Sequence, residues 1–358
     1  MNLPPLVLQA FRQPDSLISL SLADWDLLLR QARSANLLAR LHVVLDERGL
    51  LEKVPQQPRE HLEWSHATAE RHTQAVRWEV SLIRKALAKA GVPIILLKGA
   101  AYVMAKLPSA RGRLFTDIDI MVPKDRLNEV EAALMLHGWA ATHHDVYDQR
   151  YYRTWMHELP PMRHVRRSTV IDVHHAILPE TASIHPDPEK LLAAACALEE
   201  YEGLKVLAPT DMVLHSAAHL FHDGELENGL RDLVDIDSLL RYFSTLPMFW
   251  PELAERAVEL ELTRPLFYAL RYATKILHTP IPRDTMDAAR IGRPNPFTMA
   301  LMDRLFTRAL MPAHPSCSDA FSGGARWLLY VRANWLRMPP FLLARHLFHK
   351  AFISTRAD

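Results

Sequence analysis

An α+β fold, with a small mixed sheet set between helical regions, follows from three observations in the sequence. Helical periodicity occupies both ends of the chain. A short, nearly continuous apolar run interrupts it at residues 92–99. Two later segments then alternate apolar and acidic residues at period two. The expected units are an N-terminal helical region over 1–90, a sheet-bearing core over 91–180 and a C-terminal helical domain over 181–358.

The first unit opens with apolar positions Leu27, Leu28, Ala32, Leu37, Leu38, Leu41 and Val44, at mixed three- and four-residue spacing. A breaker-free run follows Pro58 as far as Gly91, a good helix stop. The run VPIILLKG then reads as a strand buried on both faces. AAYVMAKLPS reads as a helix, FTDIDIMVP as a second strand, and KDRLNEVEAALMLHGW as an amphipathic helix. Residues 157–166 and 168–176 read as two further strands joined by a hairpin at Arg166-Arg167-Ser168. From Pro186 the chain is expected to be helical, over 211–240 and twice within 251–278. Pro280, Pro282, Pro294, Pro296, Pro312 and Pro315 make 279–325 irregular. The basic, aromatic stretch 326–353 is expected to pack as a helical pair on its own domain, with Trp327, Tyr330 and Trp335 in the core.

Composition narrows the function. The 358 residues are 49% hydrophobic and 23% charged, enough for ordinary cores. Only 11 residues are Gly, and neither GxxxxGK[ST] nor GxGxxG occurs. A formal net charge of +1 is no nucleic-acid signature. Cys196 and Cys317 fit no metal spacing and read as reduced thiols. No run approaches the ~20 apolar residues of a membrane span, and MNLPPLVLQAFRQPDS makes a poor signal peptide, so a cytoplasmic location without membrane insertion is expected.

The chemistry is carried by Lys98-Gly99, Arg111-x-Arg113, Asp117-Ile118-Asp119 and, about fifty residues on, Asp172-Val173-His174. Asp117 and Asp119, two apart on a strand, share one face at roughly 6–7 Å. Ile118, Ile120 and Val122 point the other way. Two such acids repel, and a cation between them relieves the repulsion. Oxygen-only ligands suit Mg²⁺ or Mn²⁺. If Asp172 stands on a neighbouring strand, three carboxylates converge, as in two-metal phosphoryl transfer. Gly99 either lets an anion approach a helix start or makes a simple turn. Lys98 adds a point charge. Arg111 and Arg113 either clamp phosphate or balance the aspartates.

These residues resemble the nucleotidyltransferase superfamily, the polymerase-β-like fold. The run LLKG…RGRLFTDIDIMVP…VIDVHH is similar to a family of uncharacterised bacterial nucleotidyltransferases with helical flanks. Some members are known from gene neighbourhoods for surface polysaccharide or modified-peptide production. The resemblance is strong over about 90–180. Lys98-Gly99 replaces the usual Gly-Ser. It implies the fold, nucleotide and Mg²⁺ use, and Asp117, Asp119 and Asp172 as metal ligands and catalytic residues, with Asp172 helping to deprotonate the attacking hydroxyl. Lys98 and Gly99 would hold β/γ-phosphates, and Arg111 or Arg113 would steady the transferred group. A loosely matching His, Arg and Asp pattern places His219, Arg231 and Asp235 at the cleft, binding nucleotide or acceptor. His174 shares the face of Asp172.

The histidines His215, His219 and His222 have spacing that can bind a transition metal. The simpler expectation is a polar helix face lining the cleft or bonding to Asp211 or Asp235. Arg231 and Asp235, four apart, read as an intrahelical pair. The expected activity is transfer of NMP, ATP being one donor, from an NTP to a hydroxyl of a small molecule, sugar, protein or RNA. The alternatives are a non-catalytic nucleotide-binding regulatory module and a toxin-like transferase acting on tRNA.

Overall fold

The computed structural model describes residues 4–142, 152–153, 155–224, 226–339 and 341. Its apolar run after Gly91 forms β1 (Ile94–Leu96), buried throughout, and the acid-bearing segment forms β2 (Asp117–Met121). The expected hairpin forms β4 (Met162–His164) and β5 (Val170–His174), which pair antiparallel, with Ser168 left-handed in the connection. Three more strands, β3 (Trp139–Ala141), β6 (Cys196–Ala197) and β7 (Leu204–Val206), complete a mixed seven-stranded sheet of order β3-β4-β5-β2-β1-β7-β6. The fold is α+β with helical flanks, as its sequence predicts. The β2–β5 and β1–β7 pairs are parallel and the others antiparallel.

The long run before Gly91 becomes one helix, Gln56–Leu87, closed by a short 3₁₀ turn. It packs on helices Leu38–Glu47, Lys98–Met104 and Leu127–Leu136. Loop-to-helix ties draw the regions together. Arg40, on Leu38–Glu47, donates to the carbonyl of Arg111 at 2.8 Å and to Ser238 Oγ at 3.0 Å, on the helix Gly229–Phe243.

Three expectations are corrected. The stretch after Pro186 is not purely helical, because β6 and β7 lie in it. Strands of two and three residues inside an Ala- and Glu-rich segment carry too little alternation to show. Residues 279–325 are not irregular, because they hold helices Arg283–Ala288 and Pro296–Ala309. Pro296 sits at the first helical position, where its missing N–H costs nothing, and the Asn295 side chain caps the Thr298 N–H. Trp327, Tyr330 and Trp335 are not core, being 63%, 58% and 61% exposed. The buried stripe of helix Ser322–Arg337 is instead Ser322, Ala325, Leu329 and Ala333. Among the described residues no helix is long and apolar enough to cross a membrane.

The turn before β2 depends on Gly112. Its φ is +71°, and an added Cβ would stand 2.6 Å from the Ala39 carbonyl oxygen. Gly112→Ala is therefore expected to destabilise the protein by ~1–3 kcal/mol, through left-handed strain plus a backbone clash. Urea unfolding checks this, and an unchanged midpoint would show that the turn does not pack on Ala39.

Candidate active site

Parallel pairing sets the geometry of the acids. Asp117 stands opposite Val170 and Asp119 opposite Asp172 on β2 and β5. Residues in register on adjacent strands point to the same sheet face, so the three carboxylates share one side. Ile118, Ile120, Ile171 and Val173 share the other, where they are buried. Asp117 lies at the exposed end of β2, whereas Asp119 is buried. Burial, followed by the charges of Asp119, Glu158 and Asp117, pushes the Asp172 carboxyl up to about 7. Its Oδ1 is sealed from solvent without a hydrogen-bond partner among the described residues. For Asp119, burial opposes charging, but Lys98 and His174 outweigh it and hold the carboxyl well below the usual range. Lys98 Nζ is 3.8 Å and His174 Nε2 3.2 Å from Asp119 Oδ1.

Lys98 takes a left-handed backbone, φ +41°, between β1 and the seven-residue helix Lys98–Met104. A non-glycine residue there stores strain, and the strain turns the chain directly beside Asp119. Gly99 has a different reason for lacking a side chain. A Cβ would lie 2.3 Å from Arg113 Nη1 and 2.7 Å from Phe115 Cδ1. The space beside Gly99 is taken by Arg113 and Phe115.

Arg113 donates from Nε to Asp235 Oδ2 at 2.8 Å and lies over the rings of Tyr102 and Phe115, 5.7 and 5.4 Å from their centroids. Arg111 is placed elsewhere. It is exposed and paired with Glu47, outside the cavity lining, on the other side of left-handed Gly112 from Arg113.

The second helical region supplies the opposite wall. Arg231 and Asp235 do not form the expected intrahelical pair. Arg231 Nη2 donates to Asp232 Oδ1 at 2.7 Å, and Asp235 is held by Arg113. Asp211 accepts from Arg256 at 2.8 and 2.9 Å rather than meeting the histidines. His219 reaches the cleft, and burial and then Lys98 hold its pKa well below the usual range. The same two causes push His215 down to about 3. At His219–Asp223 the helix becomes a π turn, which rotates His222 away from the stripe begun by His215 and His219. Among the described residues, the His/Cys/Asp/Glu group with metal-like spacing is His157, Glu158 and His174 instead.

Of these groups, Lys98, Arg113, Asp117, Asp119, His219, Arg231 and Asp235 border a cavity of about 340 Å³, within the range of small-molecule sites, and Asp172 stands behind its lining in register with Asp119. Its lining carries three cations (Lys98, Arg113, Arg231) against four carboxylates (Asp117, Asp119, Asp232, Asp235), and each cation already contacts one of those carboxylates. Sequence reasoning missed Tyr102, whose hydroxyl is 2.7 Å from Ser216 Oγ in the same wall. Burial and then Asp235 push that phenol up to about 12. It also missed Asn36, Asn228 and Asp232. None sits in a motif, because a cavity between distant segments has no fixed spacing.

A scan against family models matches residues 21–278 to the model described as Uncharacterised nucleotidyltransferase. That span contains the whole sheet and both walls of the cavity. A search of curated proteins and a search of solved structures each gave no match.

The raised carboxyl of Asp172 fixes a pH dependence. The folded state holds its proton more tightly than the unfolded chain, about 7 against 3.8. Its contribution to stability is therefore complete below about pH 4 and is lost as pH rises to about 7. In chelator-treated protein, Asp172→Asn should exceed wild type by ~1–3 kcal/mol at pH 8, discounted for partial exposure, with the gain shrinking as pH falls toward 4. Denaturant titrations across that range test this, and parity at pH 8 would show that the carboxylate is unstrained.

Proposed function

Since the chain belongs to the uncharacterised nucleotidyltransferase family, we propose that it moves an NMP from an NTP to an acceptor hydroxyl, with a divalent ion, Mg²⁺ or Mn²⁺, held by Asp117, Asp119 and Asp172. The observation that carries this reading is the sealed, unpartnered Oδ1 of Asp172, in register with Asp119 on a shared face. A buried carboxylate oxygen without a donor is costly, and a hard cation is the partner its chemistry suits. The charge count agrees. A cavity with more carboxylates than cations repels a bare triphosphate.

In this reading the metal supplies charge neutralisation between the acids and the phosphates. The protein's own groups do the rest. The acceptor oxygen attacks the α-phosphorus, pyrophosphate leaves, and the acceptor's proton passes to Asp172. Lys98 contacts the phosphates while holding Asp119. Arg113, fixed through Nε by Asp235, presents the remainder of its fork to the charge that develops in the transition state. His219 and Arg231 line the nucleotide side. His174 acts on Asp119 rather than on substrate. A second cavity of about 360 Å³ shares Phe115, Thr116 and Asp117 with the first, and its wall includes Val76, Ile118 and Val170. It gives an acceptor an approach to Asp117 from a more apolar side.

Incubation of the protein with α-labelled NTPs, Mg²⁺ and cell extract is expected to label a discrete acceptor, and EDTA to abolish labelling. Asp117→Asn and Asp119→Asn should each reduce transfer by roughly a hundredfold or more, with melting temperature unchanged or raised in Asp117→Asn, whose carboxyl burial and Asp119 push up, and lowered in Asp119→Asn, which leaves Lys98 and His174 without their counter-charge. NTP binding without product in any extract would favour the regulatory module instead. A melting temperature that collapses in Asp117→Asn would make that acid structural.

The two arginines separate site from surface. Arg113→Lys keeps a charge for Asp235 but loses the fork, and should lower kcat by roughly tenfold or more with little change in NTP affinity. Arg111→Ala should leave both within about twofold, since Arg111 pairs on the exterior. Equal kinetic losses in the two variants would defeat the assignment.

A further inference from the structure

Beyond the cavity, on the far side of the His174 ring from Asp119, lies a second cluster. The segment before β4 is tied to β5 by an isolated antiparallel bridge, Glu158 opposite His174. The His175 N–H donates to the His157 carbonyl at 2.8 Å, and the Leu159 N–H to the Val173 carbonyl at 2.9 Å. This backbone pairing brings three side chains together. The ligand-capable atoms of His157, Glu158 and His174 all lie within 4.8 Å of one another.

Two ring nitrogens of this cluster have no hydrogen-bond partner among the described residues. His174 Nδ1 stands 3.4 Å from Glu158 Oε2 yet makes no hydrogen bond. His157 Nδ1 is likewise sealed from solvent without a partner among the described residues. Two buried imidazole nitrogens lacking hydrogen bonds are each a desolvation cost. A coordinated cation accounts for both. Donors bound at ~2.0–2.1 Å to a tetrahedral ion sit roughly 3.3 Å apart, close to the His174–Glu158 separation.

We propose that His157, Glu158 and His174 form a site for a divalent first-row transition metal, zinc by its donor set, separate from the three aspartates. Two imidazoles and one carboxylate suit zinc and not Mg²⁺, which takes oxygen ligands. The remaining ring nitrogen of His174 donates to Asp119 Oδ1, the carboxylate–histidine–metal arrangement that fixes ring orientation. The ion would thereby pin the segment before β4 to β5 and hold Asp119 in place through His174.

The test reads metal rather than transfer, so its outcome is independent of the proposed activity. The full-length protein is loaded with Zn²⁺, passed through gel filtration in millimolar Mg²⁺, and its metal counted by mass spectrometry. Co²⁺ loading gives visible bands as a second readout. About one zinc per chain is expected in wild type and in Asp117→Asn. His157→Ala and Glu158→Gln should weaken zinc binding at least tenfold and lose the Co²⁺ bands. Zn²⁺ should raise the melting temperature of wild type and not of Glu158→Gln, the near-isosteric variant that carries the test if His157→Ala does not fold. Wild type that retains no zinc, or zinc affinity untouched by Glu158→Gln, overturns the site. Zinc lost in Asp117→Asn and kept in Glu158→Gln does so too, by assigning the ion to the aspartates.

Discussion

Repulsion among carboxylates on one sheet face is the constraint around which the surrounding structure is arranged. The β2–β5 register sets Asp119 directly beside Asp172, with Asp117 two residues along. Adjacent strands stand ~4.8 Å apart, so these charges are neighbours in a partly buried setting where water screens them poorly. Asp119, the most buried, is compensated twice, by Lys98 and by His174. Lys98 reaches it from a left-handed backbone, a local cost accepted at the turn itself. For Asp172, burial and then the charges of Asp119 and Glu158 outweigh the opposing charge of His174 and push the carboxyl up to about 7.

A second buried charge pair holds the opposite wall. Arg113 and Asp235 are both nearly inaccessible, and their contact joins the loop before β2 to the helix Gly229–Phe243. A buried ion pair is weak evidence for stability, because desolvation offsets the attraction. It does fix position, and it does so with a fork that Gly99 leaves room for. Arg40 adds a third tie, between the N-terminal helices, the Arg111 carbonyl and Ser238. Segments far apart in sequence thus meet at one cavity through directed polar contacts rather than apolar packing alone.

This division explains what was legible in the sequence. Period two on a strand is a local rule, so the shared face of Asp117 and Asp119 and the long helix ending at Gly91 could be read directly. Asp172 was legible because its strand repeats the same alternation. For Arg111 the sequence left a phosphate clamp and a charge balance for the aspartates equally open, and left-handed Gly112 turns it instead to Glu47. The Arg231–Asp235 spacing was real, but a long-range partner outcompeted the local one. Trp327, Tyr330 and Trp335 show the same limit: helical spacing of aromatic residues suggested core, whereas the helix buries Ser322, Ala325, Leu329 and Ala333. Glu158 carried no signal at all, because its place is set by a single bridge to His174.

On the proposed function, the ion pairs bear on how a triphosphate would enter. A purely cationic pocket would bind it unaided and would also bind any other polyanion. Here Lys98, Arg113 and Arg231 each already contact a carboxylate, and the lining has one more negative group than positive. An anion arriving alone therefore meets an unfavourable field and must displace existing contacts. On the proposed function, an anion arriving with divalent cations meets carboxylates suited to them, Asp117 and Asp119 at the lining and Asp172 in register beside Asp119. On the proposed function, selectivity for a metal-bound nucleotide over free phosphates is built into this charge count. The fixed cations then serve orientation more than affinity, because a guanidinium anchored by Asp235 can hold the direction of its fork while charge develops on the transferred group.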